Sequence, residues 1–591
     1  MTPASRALPR PRAARRIALA ALFLGAGCGL PLDLVEHPGP QNTCSEASDC
    51  GGGAACVEGT CVATEVDLAG LLIEVRPPAN AAFGADTAHL FDPAEAGIPL
   101  VSKTGAPFLA RMNPEIPEPA AIQGGIVRVH PETSLGQGCS LGPNRSLPAR
   151  VTFYRVSPFA GLRLDPVSAT TDDDPDADTK LLRVDLVPGT YDVYVKPESV
   201  AGCNGGVAFP PALLTGVSVA AGATTLLLDL PVVGTLGGTI TGFGSVDPTS
   251  WKIELVEPAR GLPISSGGTL VASAAGYEIH AGVSVPDASV PIVRLTPPVA
   301  DALPTAFWAF PAAVSSKSPS IEVDVDGLFA PAVEVSGNVL GVDGFTRIPA
   351  SLTIQSSSLY GPNAGNAAFS VDTLDTDDNG VFSLFLPPGV YDFRAAPDDN
   401  GLAVTDRSFT IKPDVTCFCG QPFQLDPKLH IGGAVKTPRG ERFAGATVTL
   451  GPAQSAVRAY WASTHTLAPR TSRVISVATS DEGSFSMLVD SGASDLVISP
   501  DPTSGFPWLV RPRLALVGDA QLASFVITNP AILRGVVRDP KGDPVPNAEV
   551  TAWFPVRDAA TPGGLAGVVV KIATTSTDAS GAYRLLLPSS I

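Results

Sequence analysis

The stretch Arg534-Gly535-Val-Val537-Arg538-Asp539-Pro540-Lys-Gly542-Asp543-Pro544-Val545-Pro546-Asn-Ala548-Glu-Val550-Thr-Ala552 decides the fold. It opens on a short β-branched run carrying one glycine. Three prolines and a glycine follow, and these fix turn geometry and forbid a helix. It closes with apolar residues at alternate positions, Ala548, Val550 and Ala552, which puts one face of a strand against a core. The reading is strand, tight turn, strand.

The same opening recurs back along the chain as Gly-Gly433-Ala-Val-Lys-Thr, Ser-Gly337-Asn-Val-Leu-Gly, Gly-Gly238-Thr-Ile-Thr-Gly and Gly-Gly125-Ile-Val-Arg-Val. The glycines are 113, 99, 96 and 102 residues apart, so each repeat has the length of one small β-sandwich. Ile253, Leu352, Val448 and Val550 each lie fifteen residues after their glycine, within an alternating run. A third signal is an acidic turn closed by glycine, with an aromatic two residues on. It reads Asp377-Asp-Asn-Gly380-Val-Phe382, Asp481-Glu-Gly483-Ser-Phe485 and Asp578-Ala-Ser-Gly581-Ala-Tyr583. Two repeats then restart after Pro-Gly with an inward tyrosine, Tyr191 after Pro188-Gly189 and Tyr391 after Pro388-Gly389.

This order of signals resembles the carboxypeptidase regulatory-like domain, a prealbumin-like, seven-stranded Greek-key sandwich. The resemblance implies an all-β chain of tandem sandwiches, and it denotes an accessory domain without peptidase activity. It gives repeats at 121–232, 233–331 (divergent), 332–426, 427–530 and 531–591. The last one stops at Leu587-Pro-Ser-Ser-Ile591, where the third continues for some 36 residues beyond its Pro-Gly, so its closing strands are missing from this stretch; either the sandwich is truncated, which is the expectation, or its open edge pairs with something else. Residues 64–120 carry one convincing strand, Leu68–Val75, and many prolines. They read as an irregular β segment layered against the first repeat.

Composition agrees with this reading. Of 591 residues, 59 are glycine and 58 proline, and only 16% are charged, which excludes a coiled coil and argues against a helix-rich enzyme. The formal charge of −18 makes nucleic-acid phosphate a poor partner.

Residues 1–27 pair a basic stretch lacking acids with the apolar run Ile17–Gly27, too short to span a bilayer. This is the pattern of an export signal. Its end, Leu24-Gly25-Ala26-Gly27-Cys28, resembles a bacterial lipoprotein signal. That resemblance implies cleavage before Cys28, an acyl anchor on its sulfur and, with Gly29 next, the outer membrane; two or more acyl chains hold a protein stably.

Eight cysteines remain, an even number that suits an oxidising compartment. Cys44, Cys50, Cys56 and Cys61 lie in a linker and small module at 28–63, too short to bury a core, so two disulfides are expected. Their spacing lacks the close pairs typical of zinc sites, and three pairings are open. The segment resembles four-cysteine modules found after the signal in lipoproteins of myxobacteria and their relatives. Cys139 and Cys203 are expected to pair. Cys417-Phe-Cys419 is open between a mutual disulfide, a soft-metal pair and free thiols.

No catalytic constellation is expected. Gly138-Cys-Ser140-Leu-Gly142 matches a nucleophile-elbow pattern, but a Pro-Asn-Arg loop follows where a helix is required. The acidic run Asp172–Asp178 lacks the glycine and distal glutamate of a calcium loop and reads as a solvated hairpin. The histidines His37, His89, His130, His280, His430 and His465 are scattered, without metal-binding spacing. Trp251, Trp308, Trp461, Trp508 and Trp553 share no repeat position and read mostly as core. The function expected is a non-enzymatic, lipid-anchored structural or adhesive scaffold of the cell envelope, with no cofactor or metal. Its membrane contact would be the acyl chains on Cys28, with envelope polysaccharide or other surface proteins as further partners. The alternative is a carbohydrate- or peptide-binding surface protein.

Overall fold

In the computed structural model, residues 40–591 are described apart from single positions and short gaps and the longer stretches 79–87, 174–179, 204–208, 242–248, 271–275, 283–291, 310–322, 325–331, 361–366, 453–472 and 558–564. The export-signal residues and Cys28 lie outside the described residues. Among those described, strands dominate, and Ala47–Asp49 and Pro502–Ser504 are short 3-10 turns. No described helix is long and apolar enough to cross a membrane.

The chain is all-β, a tandem array of sandwiches behind a small disulfide module. The third repeat shows the plan. Its opening strand Val333–Leu340 pairs antiparallel with Val381–Leu386 and parallel with Cys417–Gln424, giving one three-stranded sheet. Its second strand Ala350–Leu359 lies between Ala367–Asp375 and Gly389–Pro397, and Thr405–Ile411 completes the facing sheet. The fourth repeat repeats this order, and so do the first and second.

The recurrent glycine and the recurrent aromatic turn out to be cross-strand partners. Gly337 sits opposite Phe382, Gly433 opposite Phe485 and Gly535 opposite Tyr583. A Cβ on Gly433 would lie 2.6 Å from the Phe485 ring, and one on Gly337 2.9 Å from that of Phe382. The ring therefore lies over the glycine, occupying the space a side chain would take. In the divergent second repeat Gly238 faces Tyr277, an aromatic with no acidic turn in the sequence before it. The acidic turns are side-chain capped: the Asp377 and Asp578 carboxylates each accept two backbone N–H bonds, and Gly380 and Gly581 take positive φ. The second-strand residues Ile253, Leu352, Val448 and Val550 are all buried, and the hydroxyls of buried Tyr191 and Tyr391 donate to the carbonyls of Val187 and Pro387.

One expectation is corrected and one completed. The fifth sandwich does not lack its closing strands, and residues 64–120, which do touch the first repeat, supply them. Its second strand Glu549–Arg557 pairs antiparallel with Leu72–Arg76, which pairs in turn with His89–Phe91. Its opening strand Pro530–Val536 pairs parallel with Leu109–Arg111. The three early strands occupy the places that Gly389–Pro397, Thr405–Ile411 and Cys417–Gln424 fill in the third repeat. Ile73, Val75 and Phe108 accordingly share one core with Leu533, Val550, Ile572 and Leu585. The open edges that would attract foreign strands are covered by the chain itself.

Neighbouring sandwiches are joined firmly. Strand Thr305–Ala309 of the second pairs with Ala367–Asp375 of the third, so one eight-stranded sheet and one core run through both. Arg260 of the second bridges to Asp192 of the first at 2.6 Å. Asp490 of the fourth accepts a bond from the backbone N–H of Val404 in the third. Val497 and Val510 of the fourth reach the core of the fifth.

Candidate functional site

Strand pairing between the two distant segments creates an open depression on the outer face of the fifth sandwich. It is lined by Glu74, Arg76, Asp165, Glu549, Thr551, Trp553 and Lys571. Alternation along each strand brings these side chains to one face: Glu74 and Arg76 from one strand, Glu549, Thr551 and Trp553 from its neighbour. Asp165 arrives from the first repeat.

Every charged group in the depression has a protein partner. Glu74 is buried, accepts from the Trp553 indole N–H at 2.6 Å and from Arg76 at 3.1 Å, and Arg76 also reaches Asp165 at 2.7 Å. Lys571 bonds Glu549 at 3.1 Å, and its ammonium stands 6.0 Å from the centre of the Trp508 ring. Burial alone would push the Glu549 carboxyl up, but Lys571 and the Thr551 and Thr574 hydroxyls hold it below the usual range. Beneath this polar layer, Leu162 of the first repeat packs with Leu72 and Val569. The arrangement is a seam: it neutralises and covers the face where first and fifth sandwiches meet. Nothing in the chain's local spacing signals it, because Glu74 and Trp553 are 479 positions apart.

At the rim of the same seam His89 is 2% exposed and neither ring nitrogen has a hydrogen-bond partner. The half-buried Arg155 of the first repeat donates to the neighbouring Ala88 carbonyl at 3.0 Å. Burial, with the Arg155 charge adding to it, pushes the His89 pKa down to about 4.

The cysteines are joined in four bonds: Cys44–Cys56, Cys50–Cys61, Cys139–Cys203 and Cys417–Cys419. The small module docks on the later repeats. The Asn42 side chain donates to the carbonyls of Cys61 and Gly505, Arg439 donates to Thr43, and Glu58 pairs with Arg534 at 3.0 Å. Three sulfurs of the module, Cys44, Cys50 and Cys61, do lie together, but as members of its two disulfides.

The remaining candidates are dispersed. Gly138, Ser140 and Gly142 fall outside the described residues, as do Asp174–Asp178, His37, His465 and Trp461. His280 faces Thr235 and His430 faces Ser486, each a pair on one sheet. Trp251 is fully buried in the core shared by the second and third sandwiches. Trp508 and Trp553 are half-buried at the seam.

No family model matches this chain, and no curated protein matches it. Among solved structures it is similar to a streptococcal ancillary pilin at 12% identity, covering 50% of this chain and 98% of that one with a TM-score of 0.20. The shaft pilin SpaA from Lactobacillus rhamnosus GG aligns at 13% identity over 34% of this chain and 98% of its own, TM-score 0.16. The minor pilin GBS52 of Streptococcus agalactiae aligns at 11% identity over 33% and 96%, TM-score 0.19.

Proposed function

We propose that this chain is an exported, lipid-anchored cell-envelope protein that serves as a non-enzymatic structural or adhesive scaffold of carboxypeptidase regulatory-like sandwiches. The observation that carries the reading is the fifth sandwich, assembled from residues 64–120 and 530–588 into one core. A chain that spends two distant segments on closing one sandwich, fuses two others through a common sheet and ties its module to the fourth and fifth is organised for mechanical integrity. The signal-like start supports export, and the paired cysteines suit an oxidising compartment. Cys28 is the proposed acylation site, with the outer membrane as the proposed address and envelope polysaccharide or other surface proteins as partners. Fold alone does not assign a ligand, and the fully paired charges of the seam weigh towards cohesion.

Two measurements test this. Metabolic labelling with palmitate, with and without a Cys28→Ala substitution, tests the anchor; label that persists in the variant rejects it. Retention of the full chain on a panel of cell-wall and exopolysaccharide glycans tests the rival binding reading. The scaffold reading expects no retention that depends on Trp553. Binding abolished by Trp553→Ala would replace it with a carbohydrate-binding function at the seam.

A further inference from the structure

Three of the four disulfides have an evident mechanical task. Cys44–Cys56 and Cys50–Cys61 cross-link a module with almost no core, and Cys139–Cys203 closes a separation of 64 residues with Cys203 fully buried. The fourth differs in every respect. Cys417 and Cys419 are two positions apart, so their bond restricts the unfolded chain least. Both residues are exposed and lie at the start of an edge strand. The strand register slips there: Phe418 is opposite Val335 but Gln421 is opposite Gly337, which leaves Cys419 and Gly420 in a bulge, with Gly420 at a φ of 69°. Phe418, between the two cysteines, is seated independently of them. Its ring packs edge-on against Phe409 at 5.9 Å and against the core of the third sandwich. Opening this disulfide would therefore break no strand pair and unseat no core residue.

We infer that Cys417–Cys419 is a thiol–disulfide exchange site for low-molecular-weight thiols. A small thiolate attacks one exposed sulfur; the new mixed S–S bond forms, the Cys417–Cys419 bond breaks, and the released cysteine thiolate takes a proton from water. No net oxidation occurs in this step. Attack by a second thiol on the mixed disulfide releases the small disulfide, reducing the protein pair by two electrons and oxidising two thiols. Glu334, directly opposite Cys417, has a carboxylate oxygen close to both sulfurs, which disfavours anionic thiols and favours cationic ones.

The test uses the full native chain, treated with graded cysteamine, quenched by alkylation and read by peptide mass spectrometry. The expected result is that Cys417 and Cys419 label at least tenfold faster than the other six described cysteines, with no shift in thermal melting. Mercaptoethanesulfonate should react more slowly than cysteamine, and Glu334→Gln should narrow that gap. A Cys419→Ser variant given cystamine, the disulfide of the same thiol, should form a stable mixed disulfide on Cys417 and release one cysteamine, because no second cysteine is left to resolve it. Labelling no faster than that of Cys44 and Cys56, or a loss of melting temperature on opening this bond alone, would show a structural disulfide and overturn the inference.

Discussion

The Met112 carbonyl lies against Gly535 so closely that no Cβ fits between them, and the Tyr583 hydroxyl donates to that same carbonyl at 2.9 Å. One backbone oxygen from the early segment thus meets the opening strand of the fifth sandwich and the aromatic residue that covers its glycine. Gly535→Ala cannot be absorbed by a side-chain movement, because the obstacle is backbone. The expected cost is about 1–3 kcal/mol in chemical denaturation of the full chain, with faster proteolysis within residues 64–120. Gly124→Ala, whose nearest neighbour would be the Thr225 methyl at 3.4 Å, should change stability far less.

His89 gives the chain a pH-dependent joint. Its pKa falls from an ordinary 6.5 to about 4 on folding, so between those values the unfolded chain holds a proton that the folded chain refuses. Stability is therefore full above pH 6.5 and declines as pH falls towards 4, by roughly 3 kcal/mol at most. Melting curves between pH 7 and 4 should show the decline, and His89→Leu should flatten it. An unchanged slope in the variant would assign the effect elsewhere.

The joint between third and fourth sandwiches behaves differently in acid. Burial pushes the Asp490 carboxyl up, but bonds from Arg473 and the Val404 N–H outweigh it and hold it below its usual value. Its contribution is present above the unfolded carboxyl value and is lost as pH falls through the lowered folded one, below the range governed by His89. Asp490→Ala leaves Arg473 without its buried partner and is expected to cost about 3 kcal/mol. Asp490→Asn, which keeps the shape, should cost less. Urea titration of both variants checks the order.

Removal of the Cys139–Cys203 bond as a double alanine variant should destabilise the first sandwich by roughly 2–5 kcal/mol, since it closes 64 residues of chain. Hydrogen exchange should localise the loss to residues 121–232 and leave the shared sheet of the second and third sandwiches protected.

Much of each sandwich was legible because its signals are local. A glycine on the opening strand, apolar residues at every second position around Val448 or Val550, and an Asp–Gly turn act over a few residues, and the periodicity of a hundred residues multiplied them. What the pattern could not convey was partnership. That Gly535 faces Tyr583 requires the register, and that Leu109–Arg111 completes the fifth sandwich requires a pairing across more than 400 positions. A three-residue parallel strand has no period of its own to read. The same holds for the seam: Glu74, Arg76 and Trp553 become neighbours only after the early strand is laid beside Glu549–Arg557. The second repeat was dim for another reason, since the aromatic opposite its glycine, Tyr277, follows an alanine-rich stretch in place of an acidic turn.

The split fifth sandwich also determines where tension travels. A pull applied between residue 64 and residue 588 is taken up by the strands that join Leu72–Arg76 to Glu549–Arg557 and Leu109–Arg111 to Pro530–Val536, while the four intervening sandwiches stay slack. Should that clasp shear, the intervening four repeats become available as released length, each able to yield in turn. The protein would then respond to load as a fuse that bridges, in parallel, a reserve of folded extension.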